Sequence, residues 1–189
     1  HKCLIISDLA ASHHYTRFVE TGTHLGDTLM TVSPLFEWNY SVEADPRLKN
    51  LLFQRFLKPI RTNVTIKLGE SPEILPDILE QVGDHKCVIF LDAHFSGDMQ
   101  IDKETKKGFS GKYGVCPLME ELEIISKHSV KDHAILIDDI RCMGQPGWPT
   151  VTEVMKKIKS INEDYKFIVE RHSDMLICLV ENEGNGSNL

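Results

Sequence analysis

Apolar runs that fit buried strands alternate with stretches of helical spacing along the whole chain, and this alternation restricts the fold more than any other feature. The runs are Arg17 to Thr21, Tyr40 to Ala44, Val64 to Leu68, Cys87 to Asp92, Ala134 to Asp138, Lys166 to Glu170 and Met175 to Val180. Between them, four sets of residues fall on single helical faces: Leu48, Leu51, Leu52 and Phe56; Ile74, Ile78 and Val82; Leu118, Leu122 and Ile125; Val151, Val154, Ile158 and Ile161. Such regular succession predicts an α/β domain with a parallel sheet wound on both faces. The continuously apolar runs at 87–91 and 134–137 read as central strands, whereas Val64 to Leu68 alternates, as an edge strand does. Only a few residues around His172 and Ser173 separate the last two runs, too few for a parallel crossover, so these pair as a hairpin. The expectation is a doubly wound, seven-stranded sheet with six parallel strands and one antiparallel strand in a C-terminal hairpin.

The 189 residues suffice for one domain, read as 1–181, with 182–189 rich in Asn, Gly and Ser as a flexible tail. A formal charge of −7 provides no footprint for a nucleic-acid backbone. No run approaches the roughly 18 to 20 apolar residues of a membrane span, and residues 1–10 lack signal-peptide organisation. Five scattered cysteines without a C-x-x-C pair suit reduced thiols and a cytoplasmic location. The chain starts at His1 rather than Met, which fits a trimmed protein or one domain of a longer one.

Two irregular connections, 93–115 and 140–149, follow the carboxyl ends of predicted central strands, the side on which open α/β sheets bind ligands. The first strand runs into Glu20-Thr21-Gly22-Thr23-His24-Leu25-Gly26-Asp27-Thr28 and then a helix. Gly22 permits a tight turn and Gly26 a close approach to a ligand or to the strand. The pattern E-x-G-x-x-x-G departs from the G-x-G-x-x-G of nicotinamide dinucleotide sites, which makes that ligand the weaker reading. Glu43 ends the second strand, where a carboxylate can accept both ribose hydroxyls, and Glu70 with Ser71 lies on the same rim. Taken singly, the glycines also fit a ligand-free turn and Glu43 a solvated strand end.

This order of motifs resembles the class I S-adenosylmethionine-dependent methyltransferases, with a Rossmann-like sheet, over nearly the whole chain. The resemblance implies that Glu20, Gly22, Thr23, Gly26, Asp27 and Thr28 shape the site for the methionine part of S-adenosylmethionine. It implies Glu43 at the ribose, Glu70 and Ser71 near the adenine, and Asp92 beside the cofactor.

Asp92 follows the fourth strand, and Asp138 and Asp139 follow the fifth. On neighbouring strands these carboxylates would converge, and only a positive group relieves their repulsion, for which Mg²⁺ or another divalent cation is the natural candidate. The arrangement is similar to the metal-dependent sugar O-methyltransferases of the macrocin and mycinamicin type, in which matching aspartates hold the metal. That likeness implies O-methylation of a small hydroxylated acceptor, with Asp92 and His94 as catalytic residues. His94 stands where that family places an acidic base; it could serve as base, as metal ligand or simply as a loop histidine. Trp148 could stack on the acceptor or pack on the sheet. His13, His14 and His24, the lysines at 103, 106, 107 and 112, and the thiols Cys116 and Cys142 are weaker candidates. A homo-oligomer, in which a second subunit helps recognise the acceptor, stays open. Two other readings stand beside the enzyme: a non-catalytic S-adenosylmethionine-binding module, and a metal-dependent hydrolase or phosphotransferase built on the aspartates.

Overall fold

The computed structural model describes residues 1–57, 62–94 and 111–180. Its elements are α1 (Lys2–His13), β1 (Arg17–Thr21), α2 (Asp27–Val32), β2 (Trp38–Glu43), α3 (Lys49–Leu57), β3 (Val64–Leu68), α4 (Ser71–Val82), β4 (Cys87–Leu91), α5 (Leu118–Lys127), β5 (Ala134–Ile137), α6 (Val151–Ile161), β6 (Tyr165–Glu170) and β7 (Met175–Val180). The strands form one seven-stranded sheet in the order β3-β2-β1-β4-β5-β7-β6. All neighbours are parallel except β7, which runs antiparallel to both β5 and β6. The expected architecture of six parallel strands and one antiparallel strand is therefore the one observed, with β3 at an edge. The predicted tail at 182–189 and Lys103, Lys106 and Lys107 lie outside the described residues, as does most of the 93–115 connection.

Every residue of β4 and β5 is buried, because helices cover both faces. On one face α4, α5 and α6 bring Leu75, Ile78, Val82, Leu122, Ile125, Val154 and Ile158 against Val19, Ile89 and Ile135. On the other, α1, α2 and α3 bring Ile6, Leu9, Leu29, Val32, Leu52 and Phe56 against Phe18, Phe90 and Leu136. Helix α6 starts at a capping box, with Thr150 Oγ1 accepting from the Glu153 N–H and Glu153 Oε2 accepting from the Thr150 N–H.

Helix α1 was not expected. Its apolar residues crowd into Leu4-Ile5-Ile6 with no helical stripe; Ile6 and Leu9 are buried and Leu4 is 63% exposed. Three predicted strands end one residue early, at Glu43, Leu91 and Ile137, so that Asp92 and Asp138 open the loops after β4 and β5. All five cysteines are free thiols, and Cys87 and Cys178 are buried. Among the described residues no helix is long and apolar enough to cross a membrane.

Candidate active site

The sheet order reverses between β1 and β4, so the connections leaving these strands diverge and leave a crevice at their carboxyl ends. An open cleft lies there. Its walls include Gly22, His24, Glu43, Glu70, Ser71, Asp92, His94 and Tyr113.

The floor is a turn that only glycine can make. Gly22 has φ 81°, and a Cβ there would fall 2.4 Å from the Asp92 carbonyl oxygen. The N–H groups of Gly22 and Thr23 donate to Val42 O at 2.9 and 3.0 Å, and the Asp92 N–H donates to Thr21 O at 3.1 Å. The connection after β1 is thus wedged between β2 and β4 with bare backbone facing the cleft.

Glu43 is held in place before any ligand arrives. One carboxylate oxygen accepts the His24 N–H at 2.6 Å and the other the Asp45 N–H at 2.7 Å. Burial raises its pKa, against the effect of these bonds. Each oxygen keeps a lone pair for a further donor such as a ribose hydroxyl. His24 takes part through its backbone, at φ 50°, a contribution invisible in side-chain motifs.

Glu70 stands on the opposite wall. The Lys112 N–H donates to its Oε1 at 2.9 Å, and Gly111 lies so close that a Cβ would be 2.5 Å from Oε2. This contact draws the segment from Gly111 to Pro117 over the cleft, with Tyr113 and Val115 on its inner side. The Ser71 hydroxyl is buried at the cleft wall, close to the Glu121 carboxyl behind it.

Other residues of the first-strand motif sit away from the cleft surface. Glu20 is buried beneath it, accepts from Ser41 Oγ at 2.7 Å, and is pushed up to about 8 by burial. Thr23 turns inward to share a 2.6 Å hydrogen bond with Ser41. Gly26, at φ 78°, makes room for Phe56, whose ring would be 2.7 Å from a Cβ. Asp27 is exposed and pairs with Arg55 at 2.6 Å, and Thr28 lines no part of the cleft. Thr23 is thus tied to β2, and Gly26 and Asp27 set the start of α2 against α3.

An ionic cluster closes the deep end. His94 Nε2 lies 3.1 Å from Asp92 Oδ1 and 2.5 Å from Asp139 Oδ2. Burial lowers the imidazole pKa, but the bonds to Asp139 and Asp92 outweigh it and raise the group to about 10. The same bond to His94 holds the Asp139 carboxyl below its ordinary range. Asp92, His94 and Asp139 each offer a ligand atom, all within 4.8 Å of one another. Two carboxylate oxygens and one imidazole nitrogen suit a divalent cation that accepts mixed O and N donors.

Asp138, expected in this cluster, points elsewhere. Its carboxylate pairs with Lys2 of α1 and accepts the Asp139 N–H at 2.8 Å, while burial and then Asp92 push it up to about 6. Asp139 is left at φ 55°, a strained conformation for a residue with a side chain, and its carboxylate meets His94 of the cleft wall. Arg141 grips Asp139 from outside at 2.5 Å and also pairs with Asp174. Trp148 lies with its ring centroid 5.2 Å from that of His94.

No protein-family model matches the chain, and no curated protein matches it in sequence. Solved structures do match it in shape. A putative caffeoyl-CoA O-methyltransferase from Staphylococcus aureus is 16% identical, with 95% of this chain and 83% of that chain covered and a TM-score of 0.62. The O-methyltransferase TomG from Streptomyces achromogenes, solved in complex with SAM, is 15% identical, with 96% and 80% covered and a TM-score of 0.60. The N-methyltransferase NodS from Bradyrhizobium japonicum is 12% identical, with 94% and 90% covered and a TM-score of 0.54. The fold is that of the class I methyltransferases. Neighbours that methylate oxygen and nitrogen share it, so architecture alone does not select the acceptor atom.

Proposed function

We propose that this protein is a methyltransferase that uses S-adenosylmethionine and transfers the methyl group to an oxygen of a small hydroxylated acceptor, assisted by a divalent cation. The observation that carries the reading is the placement, around one cleft, of the Gly22 turn, the pre-held Glu43 carboxylate and the Asp92, His94 and Asp139 cluster. The first two fit a nucleoside with a flexible polar arm: bare backbone at Gly22 lets the arm pass, and Glu43 accepts the ribose hydroxyls. In this reading Glu70 and Ser71 would border the base.

Asp92, His94 and Asp139 would hold the cation, which when bound lowers the pKa of an acceptor hydroxyl and fixes its direction. With an imidazole in the donor set, Mn²⁺ belongs beside Mg²⁺ in any test. The chain's own contribution is positioning: Arg141 and the strained Asp139 turn fix the carboxylate, and Trp148 backs the His94 ring. A second reading, with His94 as general base, draws on the 2.5 Å contact with Asp139, which orients the ring. The two exclude each other at a given moment, because an Nε2–H donated to Asp139 leaves that nitrogen no lone pair for a cation, and the proton would then be taken on Nδ1.

Titration calorimetry with S-adenosylhomocysteine, with and without Mg²⁺ or Mn²⁺ and with NAD as control, tests the reading. Micromolar binding that excludes NAD supports the donor site. Cation binding without nucleoside binding points instead to the hydrolase reading, and nucleoside binding without cation dependence to a binding module or a His94-based enzyme.

A further inference from the structure

The sheet ends on β6, and among the described residues no strand pairs with its outer edge. Edges in natural proteins are generally blunted, since their unpaired N–H and C=O groups invite another strand. This edge carries three consecutive apolar residues, Phe167, Ile168 and Val169, of which Ile168 is 40% and Val169 50% exposed. The charges of the strand are arranged symmetrically about its centre. Lys166 stands two residues before Ile168 and Glu170 two residues after, and all three point to the same face because side chains alternate.

We infer that β6 pairs antiparallel with β6 of a second copy of this chain, about a two-fold axis through Ile168, so that two sheets become one. In that register Ile168 lies against the partner's Ile168, and Phe167 against the partner's Val169. Lys166 then faces the partner's Glu170, and symmetry repeats the ion pair on the other side. The charge pattern selects this register over its neighbours. A slip of one residue sets Lys166 against the partner's Val169 or the partner's Arg171, forfeiting both ion pairs and inverting the faces.

The groups around the edge allow the pairing. Glu170 Oε1 accepts the His172 N–H at 2.8 Å, which leaves Oε2 for the incoming ammonium. Phe167 is covered on its own side by Lys159, whose ammonium lies 5.7 Å from the ring centroid, so its rim and Val169 remain to meet the second copy. Within one chain Lys166 and Glu170 are four positions apart along an extended strand, too far to pair with each other. Their complementarity is realised only between two copies. Because β6 lies at the end of the sheet away from the β1/β4 crevice, the inference stands apart from the proposed chemistry.

Sedimentation velocity over roughly a hundredfold range of protein concentration tests it. The expected result is a monomer–dimer equilibrium, with nothing larger, that weakens as salt rises. Lys166→Glu and Glu170→Lys, each alone, replace two attractive pairs with two repulsive ones and should raise the dimer dissociation constant roughly tenfold or more. The double exchange should bring it back to within about threefold of the original. Ile168→Lys, which sets like charges on the axis, should give a monomer with unchanged thermal stability and unchanged S-adenosylhomocysteine binding. A monomer at every concentration, a dimer that survives Ile168→Lys, or a double exchange that fails to restore association would each overturn the inference.

Discussion

Replacing Gly22 with Ala tests whether the wedged turn builds the cleft. The added Cβ would stand 2.4 Å from the Asp92 carbonyl oxygen, 2.8 Å from its carbon and 3.0 Å from the Ala93 nitrogen, where ordinary contact begins near 3.4 Å. All three are backbone atoms, so relief requires β1 and the start of the Asp92 loop to part by about 1 Å. The Thr21–Asp92 hydrogen bond that ties the two strands lies in the path of that movement. Alanine at φ 81° costs about 1 to 2 kcal/mol, and the displacement about 1 to 3 kcal/mol more. For a chain of this size, each kcal/mol lowers the melting temperature by roughly 2 to 4 °C, giving a fall of about 5 to 20 °C. Gly144→Ala is the control, because Gly144 has φ 84°, close to that of Gly22, but nothing within 4 Å of an added Cβ, so it incurs the backbone cost alone. Differential scanning calorimetry of both variants isolates the steric part. Titration with S-adenosylhomocysteine should then show at least about a tenfold loss for Gly22→Ala, since a shift of this size misplaces both walls. Equal melting temperatures for the two variants, with donor affinity intact in both, would refute the reasoning.

Glu43→Ala should weaken S-adenosylhomocysteine binding by about 1 to 3 kcal/mol through lost charge-assisted hydrogen bonds; unchanged calorimetric affinity would remove Glu43 from the ribose. Asp139→Asn should raise the cation concentration needed for half-saturation by roughly tenfold with the urea midpoint nearly constant, and an unaltered metal titration would count against the cluster. Stability should also carry two opposed pH dependences. Glu20, raised to about 8 by burial, favours the fold fully below the ordinary carboxyl range and loses that contribution as pH climbs through 8. His133, lowered to about 4 by burial and by His128, contributes above its ordinary value of 6.5 and loses that contribution as pH falls through 4. Between about pH 6.5 and 8 His133 adds no slope, while Glu20 and His94, the latter raised to about 10, both lose stability as pH rises, so the urea midpoint should fall across that window and Glu20→Gln should make the fall shallower; an unchanged slope in the variant would assign it elsewhere.

The parts of this molecule that could be read in the sequence are those set by local repetition. β1, β3 and β7 fall on the predicted boundaries because alternating or continuous apolar runs stop at polar turn residues on both sides. Helix α1 escaped for the converse reason: its Leu4-Ile5-Ile6 run gives no stripe, and its buried residues become intelligible only once Phe18 and Leu136 are known to lie beneath them. The same distinction runs through the site. That carboxylates would gather beyond β4 and β5 follows from where the apolar runs end. Which of Asp138 and Asp139 joins Asp92 and His94 does not, because Asp138 is taken by Lys2, 136 positions away, while Asp139 sits on a left-handed turn. Glu121 was likewise illegible as a site neighbour. It sits fully buried within the apolar face of α5, pushed up to about 7 by burial, close to Thr21 and Ser71 behind the cleft wall; spacing puts it on that face with Leu118, Leu122 and Ile125, but a carboxyl side chain reads from residue type alone as solvent-facing. Neighbours in sequence with the same chemistry are separated by contacts from distant segments, so pattern can locate a site to a few residues, and the long-range partners decide which of those residues enter it.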